Sequence, residues 1–480
     1  MTDTLHPFFD GHEVEQHVDR YVALHSPFNL QPYARIGDST SETIGAAVAA
    51  AHDAFRGHRT APLHQRISWL NAAAQAIEAA AGELVELIIN DIGKPRRAAS
   101  IEVQRSAEFF RTCAATVSTL GGETVPVDSV VNGAGRFGFT LRVPFGVVAA
   151  VTPFNAPINL LSQKVAPALA AGNAVVVKPH PAGTRVALRL ATLLAAVGLP
   201  PGLFNVVTGH RDPALLLASH PGVSAVTFTG GTPAGDALAN AAGARKFVAE
   251  LGSNAANVVL ADADVGDAAT RIASAAFEAS GQQCVSAQRI VVERSVLEHF
   301  LAAFVAAACS LRVGDPYDPA TDIGPMVSLQ AAERVMRMAD ASVAAGGRFA
   351  LVPIRRDCLV SPGIIIVESP GDSAIWREEA FGPLAVVVPA DHPHHALDLA
   401  NDSAFGLQGA LFTRDLAWAL RFARDLEVGS LWVNEASRFR LDMYPFGGVK
   451  RSGTGREGAR YAIEELSQLR FIGMRFDLPD

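Results

Sequence analysis

The chain has 480 residues, of which 49% are hydrophobic and 18% are charged. This length favours two to four domains, and this composition favours buried cores over disorder. The net charge of −8 and the lack of a Lys/Arg run argue against nucleic acid as a partner. We therefore expect a multidomain, soluble enzyme that acts on a small molecule.

No membrane-spanning helix is predicted. Apolar segments are interrupted before they reach about 18 residues, as Pro167, Gly172 and Asn173 interrupt the segment 165–177. Residues 1–15 contain acidic side chains and no basic region followed by an apolar core, so they do not resemble a secretory signal. These features predict a cytoplasmic protein without a membrane partner.

The cysteines are widely separated and form no CxxC pair, so we expect reduced thiols. They are Cys113, Cys284, Cys309 and Cys358.

The N-terminal part is predicted to begin with helices. Ser39 and Glu42 have capping-box spacing, and an Ala-rich run at 44–55 follows them. Residues 67–89 repeat apolar side chains at helical spacing.

From residue 147 onward, short β-branched runs alternate with helical stretches, a pattern typical of βαβ units in a parallel sheet. The predicted strands of this sheet are 147–151, 174–178, 204–207 and 225–228. A second alternation after Ala255 predicts a second α/β domain. Its clearest elements are strands at 289–292 and 384–388 and a helix at 297–311.

Residues 121–144 alternate in polarity and contain several glycines, which predicts an antiparallel hairpin inserted into the first domain. The tail segment 469–472 is a candidate edge strand beside it. Because exposed edge strands are often covered by another subunit, this element favours an oligomer.

Cys284 is the candidate nucleophile. Most free cysteines pack in cores, and Cys113 and Cys309 fit that explanation. Cys284 follows Gly281 and two glutamines, so its approach is polar and flexible. We expect a reachable thiol there.

Glu250 and Asn155 are the candidate partners of this thiol. Glu250 ends a predicted strand, and the carboxyl ends of strands in α/β domains open onto crevices where a general base can act. Asn155 lies between Pro153 and Pro157, so its amide has a fixed direction and can stabilise an oxyanion. The alternatives are a solvated strand-end carboxylate and an ordinary Asx turn.

A glycine turn follows the predicted strand 225–228. Its residues, 230–235, match neither a P-loop nor GxGxxG. Backbone amides at the start of the following helix can nevertheless face a pyrophosphate. Lys178 can then reach ribose or phosphate oxygens, although a solvated strand-end lysine is an equal alternative when this residue is judged alone.

These motifs together resemble the aldehyde dehydrogenase superfamily, from about Ser26 to Ile472. The segments that carry the resemblance are 152–155 (TPFN), 177–179 (VKP), 228–231 (FTGG), 250–252 (ELG), 281–284 (GQQC), 379–383 (EAFGP) and 445–450 (PFGGVK). Their order and spacing both agree with that family. The lactaldehyde, phosphonoacetaldehyde and non-phosphorylating glyceraldehyde-3-phosphate dehydrogenases are the most similar branch.

The resemblance implies an α/β aldehyde dehydrogenase fold with a Rossmann-like cofactor domain, an α/β catalytic domain and a small β oligomerisation hairpin. The implied dinucleotide-binding domain comprises residues 1–120 and 144–251. Residues 252–445 form the catalytic domain, and 121–143 and 446–480 form the oligomerisation elements. A homodimer or homotetramer is expected.

The resemblance also assigns roles. Cys284 becomes the nucleophile, Asn155 and the Cys284 backbone amide form the oxyanion hole, and Glu250 activates the deacylating water. The cofactor, NAD or NADP, is expected to contact Thr152, Phe154, Lys178, Gly230, Gly231, Glu379 and Phe381. The implied cycle forms a thiohemiacetal, transfers hydride to the cofactor and hydrolyses a thioester to a carboxylic acid. Glu250 favours hydrolysis over transfer to coenzyme A.

Three positions depart from the family pattern. Many NAD-preferring members have Glu three residues after the lysine, where this chain has Pro181, so NADP becomes possible. The residue before the nucleophile is Gln283 instead of the usual Arg, which disfavours a phosphorylated substrate. Ser253 replaces a common Gly after Leu251–Gly252, and we expect this change to be tolerated.

The expected substrate is a small polar or anionic aldehyde. Ala156, Asn159 and Gln163 stand where enzymes for fatty or aromatic aldehydes tend to have Phe, Leu and Trp. Arg105, Arg438 or Arg440 is a candidate clamp for a carboxylate, against the alternative of an ordinary ion-pair arginine. Semialdehydes and lactaldehyde-like or phosphonate-like aldehydes all remain open.

Two other functions use the same residues: a family member that binds dinucleotide without turnover, and a thiol esterase that uses Cys284 and Glu250 without cofactor. The intact set of Cys284, Glu250, Asn155 and Lys178 favours the dehydrogenase over the first. No metal site is predicted, because His392, His394 and His395 lie around Pro393 in a segment that more resembles the start of a solvated helix.

Overall fold

The computed structural model of the protein describes residues 3–371 and 373–476. Within these ranges the α-helices are α1 (Ser41–His58), α2 (Leu63–Ala79), α3 (Ala81–Ile92), α4 (Arg96–Val117), α5 (Asn159–Ala171), α6 (Thr184–Ala196), α7 (Asp212–Ser219), α8 (Thr232–Ala242), α9 (Val265–Phe277), α10 (Leu297–Ser310), α11 (Leu329–Ala344), α12 (Ala374–Arg377), α13 (Pro393–Asn401), α14 (Leu416–Asp425) and α15 (Ala459–Glu465).

The strands of the same ranges are β1 (Asp3–Leu5), β2 (Phe8–Phe9), β3 (His12–Glu13), β4 (Tyr21–His25), β5 (Pro32–Gly37), β6 (Thr124–Val125), β7 (Arg136–Pro144), β8 (Val147–Thr152), β9 (Ala174–Pro179), β10 (Phe204–Val206), β11 (Ala225–Thr229), β12 (Lys246–Glu250), β13 (Ala256–Val259), β14 (Arg289–Glu293), β15 (Arg348–Leu351), β16 (Arg355–Arg356), β17 (Leu359–Val360), β18 (Gly363–Ile366), β19 (Leu384–Ala390), β20 (Phe405–Gly406), β21 (Gln408–Phe412), β22 (Ser430–Val433), β23 (Val449–Lys450), β24 (Gly453–Thr454) and β25 (Ser467–Arg475).

The first sheet has the order β24-β12-β11-β8-β9-β10-β2-β3. Its central strands, β12 to β10 in that order, are all parallel, and every residue of β8, β9 and β11 is buried. Strands covered by helices on both faces are expected to read as continuous apolar runs, as these Val/Ala-rich strands do. The predicted parallel sheet is confirmed.

The second sheet has the order β15-β18-β19-β14-β13-β21-β22 and is parallel except at the edge strand β15. Separate clusters of buried apolar side chains cover its two faces. The predicted strands at 289–292 and 384–388 correspond to β14 and β19, and the predicted helix at 297–311 corresponds to α10. These predictions are confirmed.

The predicted hairpin at 121–144 is present as β6 and β7, which pair antiparallel. The tail strand β25 pairs with β7 along its whole length, from Ser467 opposite Pro144 to Arg475 opposite Arg136. The predicted contact of segment 469–472 with the hairpin is therefore confirmed.

The start of the chain differs from the prediction. Strands β1 to β5 precede the first helix, so the N-terminal part does not begin helical. The cap of α1 is Thr40, whose hydroxyl accepts the Thr43 N–H at 3.1 Å. Ser39, the predicted cap, is buried and accepts the Thr208 N–H at 3.0 Å. A long-range contact therefore displaces the N-cap by one residue, and no capping box forms, because Thr43 and not Glu42 lies three residues after the cap.

The range 446–480 is divided between two parts of the molecule. Strand β24 pairs with β12 in the first sheet, α15 packs on α5, and β25 joins the hairpin. Residues 1–2 and 477–480, at the ends of the predicted domain ranges, lie outside the described residues. Among the helices of the described ranges, none combines the length and the apolar character needed to cross a bilayer.

Candidate active site

The predicted site residues converge at the carboxyl edge of the first sheet. Lys178 lies near the end of β9, Glu250 is the last residue of β12, and Gly230 follows β11 directly. Asn155 lies three residues after β8. Parallel strands present their carboxyl ends at one edge, which is where ligands bind in open α/β sheets.

Two cavities meet at this edge. The smaller has a volume of about 390 Å³ and the larger about 720 Å³. Their shared lining residues are Asn155 and Cys284. The thiol is therefore reachable from both sides.

The backbone before Cys284 is strained. Ala279, Ser280 and Gly281 have φ values of 52°, 61° and 62°, a left-handed conformation that is uncommon outside glycine. A Cβ at Gly281 would lie 2.3 Å from the Gly382 carbonyl oxygen, so only glycine fits there. The Ser280 hydroxyl donates to the Gly324 carbonyl oxygen at 2.7 Å and helps to hold the turn. Strain of this kind is found at sites where function requires a fixed side chain.

Burial and the charge of Glu250 raise the pKa of the Cys284 thiol well above its ordinary value. Cys284 is partly buried, and its exposed part faces the two cavities. A thiol of this kind does not ionise by itself near neutral pH, so it needs a base to become a nucleophile.

Glu250 is the available base. It is 2% exposed, it lines the larger cavity, and neither carboxylate oxygen makes a hydrogen bond of ordinary geometry with the described residues, although the Cys284 thiol faces it. Burial and the charge of Glu457 raise its pKa from 4.5 to about 7. A buried carboxylate without partners is costly, so its retention at a cavity wall indicates a functional role.

A buried ionic cluster lies behind Glu250. Glu457 accepts hydrogen bonds from Lys164 at 3.1 Å and Arg440 at 2.8 Å. Burial raises the pKa of Glu457, but the two cations lower it to below its ordinary value and keep the carboxylate ionised. Besides burial, the ionised Glu457 raises the pKa of Glu250, and this effect is larger than the lowering by either Arg440 or Lys164.

Asn155 is held next to the nucleophile loop. Its amide donates to the Gln282 carbonyl oxygen at 2.9 Å, which leaves one amide N–H for a substrate oxygen. The loop that carries Asn155 leads into α5, which has no side-chain cap of its own. Glu102 of α4 supplies one, because its carboxylate accepts the N–H groups of Ile158 and Asn159 at 3.0 and 3.2 Å.

The larger cavity is lined by the residues predicted to bind a dinucleotide, namely Thr152, Phe154, Lys178, Gly230, Gly231, Glu379 and Phe381. The Phe154 and Phe381 rings make an edge contact at 5.8 Å. Burial lowers the pKa of Lys178 to about 8 and raises that of Glu379 to about 7. A Cβ at Gly231, just before α8, would meet nothing closer than 4.0 Å. The volume, the open glycine turn and the buried polar groups fit a nicotinamide dinucleotide.

The smaller cavity contains the predicted substrate residues Arg105, Gln283 and Arg438, together with Ala156 and Asn159. Gln163 is not among the residues that line it; this side chain is buried and its amide donates to Asp442 Oδ1 at 2.8 Å. The expectation that Gln163 faces the substrate is therefore wrong.

A scan against family models matches residues 14–472 to the aldehyde dehydrogenase family. The chain belongs to the aldehyde dehydrogenase family. The predicted fold, and the predicted oxidation of an aldehyde to an acid with NAD or NADP, are those of this family and are confirmed.

Similar proteins include a 3-sulfolactaldehyde dehydrogenase of Priestia aryabhattai, which is 40% identical over 93% of each chain. A lactaldehyde dehydrogenase of Methanocaldococcus jannaschii is 34% identical over 93% of this chain and 96% of its own. Among solved structures, the NADP-dependent glyceraldehyde-3-phosphate dehydrogenase of Bacillus halodurans in complex with NADP superposes with a TM-score of 0.95. It is 32% identical, over 99% of this chain and 100% of its own.

The sequence did not indicate the charged side chains that hold the residues of this dehydrogenase site in place. They are Glu102, Lys164, Asp442 and Glu457. Lys164 and Glu457 are 293 positions apart in the chain, and no local spacing signals such a contact. No cluster of three or more potential metal ligands occurs in the described part of the chain.

Proposed function

We propose that this aldehyde dehydrogenase oxidises a small, anionic aldehyde to the corresponding acid, with Cys284 as nucleophile. The observation that carries the proposal is the charge of the smaller cavity. Five of its lining residues are cationic: Lys94, Arg105, Arg271, Arg438 and Arg440. Two are carboxylates: Glu102 and Glu435.

In the proposed reaction, Glu250 accepts the proton of the Cys284 thiol, and the thiolate attacks the aldehyde carbon. The second Asn155 amide hydrogen and the Cys284 N–H stabilise the resulting oxyanion. The dinucleotide, when bound, supplies the two-electron oxidant that converts the thiohemiacetal to a thioester. Glu250 then releases the thiol proton to solvent and takes a proton from the water that attacks the thioester. It passes this proton to the departing Cys284 sulfur as the acid is released. A pKa of about 7 suits a base that gains and loses a proton in each cycle.

Two arginines of the smaller cavity, Arg105 and Arg438, make hydrogen bonds to neighbouring residues but keep N–H groups that are not used in these bonds. Arg105 Nη2 donates to Asp442 at 2.9 Å, and Arg438 uses Nε for Gln283 and Nη1 for Glu278 and the Ser274 carbonyl. Because a guanidinium has five N–H donors, each arginine keeps some for a ligand. A sulfonate or carboxylate matches such a fork, and one relative is named for a sulfonated aldehyde.

Arg105→Gln is expected to raise KM for 3-sulfolactaldehyde about tenfold or more, because a charge-assisted hydrogen bond is lost. KM for lactaldehyde, which has no anionic group, should change less than about twofold. Steady-state reduction of the cofactor measures both. Arg111→Gln, at a partly exposed position of the same helix α4, is the matched control and should change neither value, because Arg111 does not line the cavity. Equal losses with both aldehydes would contradict the anionic-substrate proposal.

We propose a homodimer or homotetramer formed through the sheet β25-β7-β6. Strand β25 is an edge strand, and large apolar side chains are exposed on this sheet, each between 38% and 54%. They are Phe137, Leu141, Leu469, Phe471 and Met474. An uncovered apolar edge strand is a site of association.

We also propose that the protein is located in the cytoplasm, which the free state of all four cysteines supports.

Phe471→Asp is expected to shift the protein to monomers, because it places a charge in the proposed interface. Light scattering coupled to size-exclusion chromatography would measure the mass. Leu416→Asp, at a 71% exposed position of α14, should leave the oligomer intact. A monomeric wild type, or an oligomer that survives Phe471→Asp, would overturn this interface.

A further inference from the structure

We propose that Arg211, His210 and Lys178 hold the 2′-phosphate of NADP, and that the enzyme therefore uses NADP in preference to NAD. This inference rests on the proposed function of the site. It concerns one end of the larger cavity, whose lining includes Lys178, His180, Pro181, His210 and Arg211.

These residues lie together in space. Lys178 Nζ donates to the carbonyl oxygens of Gly209 at 3.1 Å and His210 at 2.7 Å. The backbone of the loop 209–211 is therefore fixed beside the lysine, and Arg211 follows at the start of α7. A phosphate placed against Lys178 at this end of the cavity would therefore lie near the loop that carries His210 and Arg211.

The two carboxylates that line the larger cavity are engaged elsewhere. Glu250 faces the thiol, and Glu379 accepts the Ser253 N–H at 3.0 Å. The charges that affect the pKa of Glu379 are those of Glu250 and Arg334, whereas the pKa of Lys178 responds to Asp38. Neither lining carboxylate is among the charges that affect the pKa of Lys178.

Arg211 has a free guanidinium. It is exposed, it lines the cavity, and its side chain makes no hydrogen bond or ion pair with any of residues 3–371 and 373–476. Most other arginines around the site are paired with carboxylates or with backbone carbonyls. An arginine is the usual partner of a 2′-phosphate in dinucleotide sites, because its donors match phosphate oxygens.

Asp38 is the carboxylate that could select NAD instead, by accepting the ribose 2′-hydroxyl. Its Oδ1 already accepts the His210 N–H at 2.8 Å and lies 2.9 Å from the His210 ring Nδ1. Asp38 does not line the larger cavity. His210 thus lines the cavity and engages this acid, which itself does not face the cavity.

His180 adds a neutral donor to the same end. Its Nδ1 accepts the Ala182 N–H at 3.2 Å, and burial together with Lys178 lowers the pKa of the ring to about 3. The remaining ring nitrogen therefore carries the proton at neutral pH. A neutral donor can face a phosphate oxygen, whereas a carboxylate at this position would repel it.

The test compares wild type, Arg211→Gln and the control Arg348→Gln, which changes an exposed arginine on the edge strand β15 outside the cavity lining. Wild type should show a kcat/KM for NADP at least about tenfold above that for NAD. Arg211→Gln should lower the NADP value about tenfold and the NAD value less than about twofold. The control should change neither.

A binding readout separates this inference from the proposed reaction. The rise in Tm with 2′,5′-ADP should exceed the rise with 5′-AMP in wild type, and Arg211→Gln should remove the difference. Equal stabilisation by the two nucleotides in wild type, or a preference for NAD, would overturn the inference. Failure to oxidise any aldehyde while 2′,5′-ADP still binds preferentially would overturn the proposed function alone.

Discussion

Cys284→Ala is expected to lower aldehyde oxidation by on the order of 10⁴-fold or more, because loss of a covalent nucleophile removes the whole reaction path. The thiol lies where the two cavities meet, so no other described cysteine can replace it. Cys113 and Cys358 are buried, and Cys309 is exposed on α10. Reduction of NAD or NADP in the presence of a short anionic aldehyde measures the loss.

Cys309→Ala is the matched control, since it removes a thiol away from both cavities. It should retain wild-type activity. The Cys284 variant should still be stabilised by the dinucleotide, because the predicted binding residues remain. Residual turnover above a few per cent in Cys284→Ala would contradict the covalent mechanism, and loss of dinucleotide binding would indicate damage to the fold.

Glu250→Gln is expected to lower kcat by about 10²- to 10⁴-fold, the usual contribution of a general base. The pKa of about 7 also predicts a pH profile. Glu250 acts when ionised, so wild-type kcat should rise with pH through about 7, and the variant should lack that rise. Steady-state rates between pH 5 and 9 test this. A wild-type rise that persists in Glu250→Gln would assign the titration to another group.

The same substitution should stabilise the fold at high pH. The pKa of Glu250 is about 7 in the folded protein, whereas its ordinary value of 4.5 applies in the unfolded chain. The folded state therefore binds the proton more tightly. Its contribution to stability is full below pH 4.5 and is lost as pH rises through 7. Glutamine stays neutral, so Glu250→Gln should exceed wild type by on the order of 1–3 kcal/mol at pH 8.

Denaturant unfolding at pH 4.5 and pH 8 measures this difference in the free energy of unfolding. Glu298→Gln, at an exposed position of α10, is the control and should change stability little at either pH. A Glu250→Gln protein that is no more stable than wild type at pH 8 would show that the carboxylate is better solvated than its burial indicates.

The sequence predicted the parts of the fold and the site that local patterns encode. Strands β8, β9 and β11 are short runs rich in β-branched and small apolar residues, and each was predicted with its carboxyl end one residue too early. Cys284 and Glu250 stand in short motifs whose order along the chain resembles a known family. Such features depend on neighbours within a few positions.

Features that depend on distant contacts were missed or misplaced. Glu102 caps α5 from another helix, and Glu457 faces Lys164 across 293 positions. The cap of α1 moved from Ser39 to Thr40 because Thr208 engages Ser39. Gln163 was expected in the cavity, but Asp442 holds its amide. A single sequence does not contain the pairing of such residues, since only the folded chain brings them together.

The two cavities share Asn155 and Cys284 alone among their lining residues. Side chains that surround one ligand are therefore separate from those that surround the other. Free-energy changes at sites without common partners are usually additive. Aldehyde selectivity and coenzyme selectivity can thus diverge independently, during evolution or in the laboratory, as long as the asparagine and the cysteine at their junction are retained.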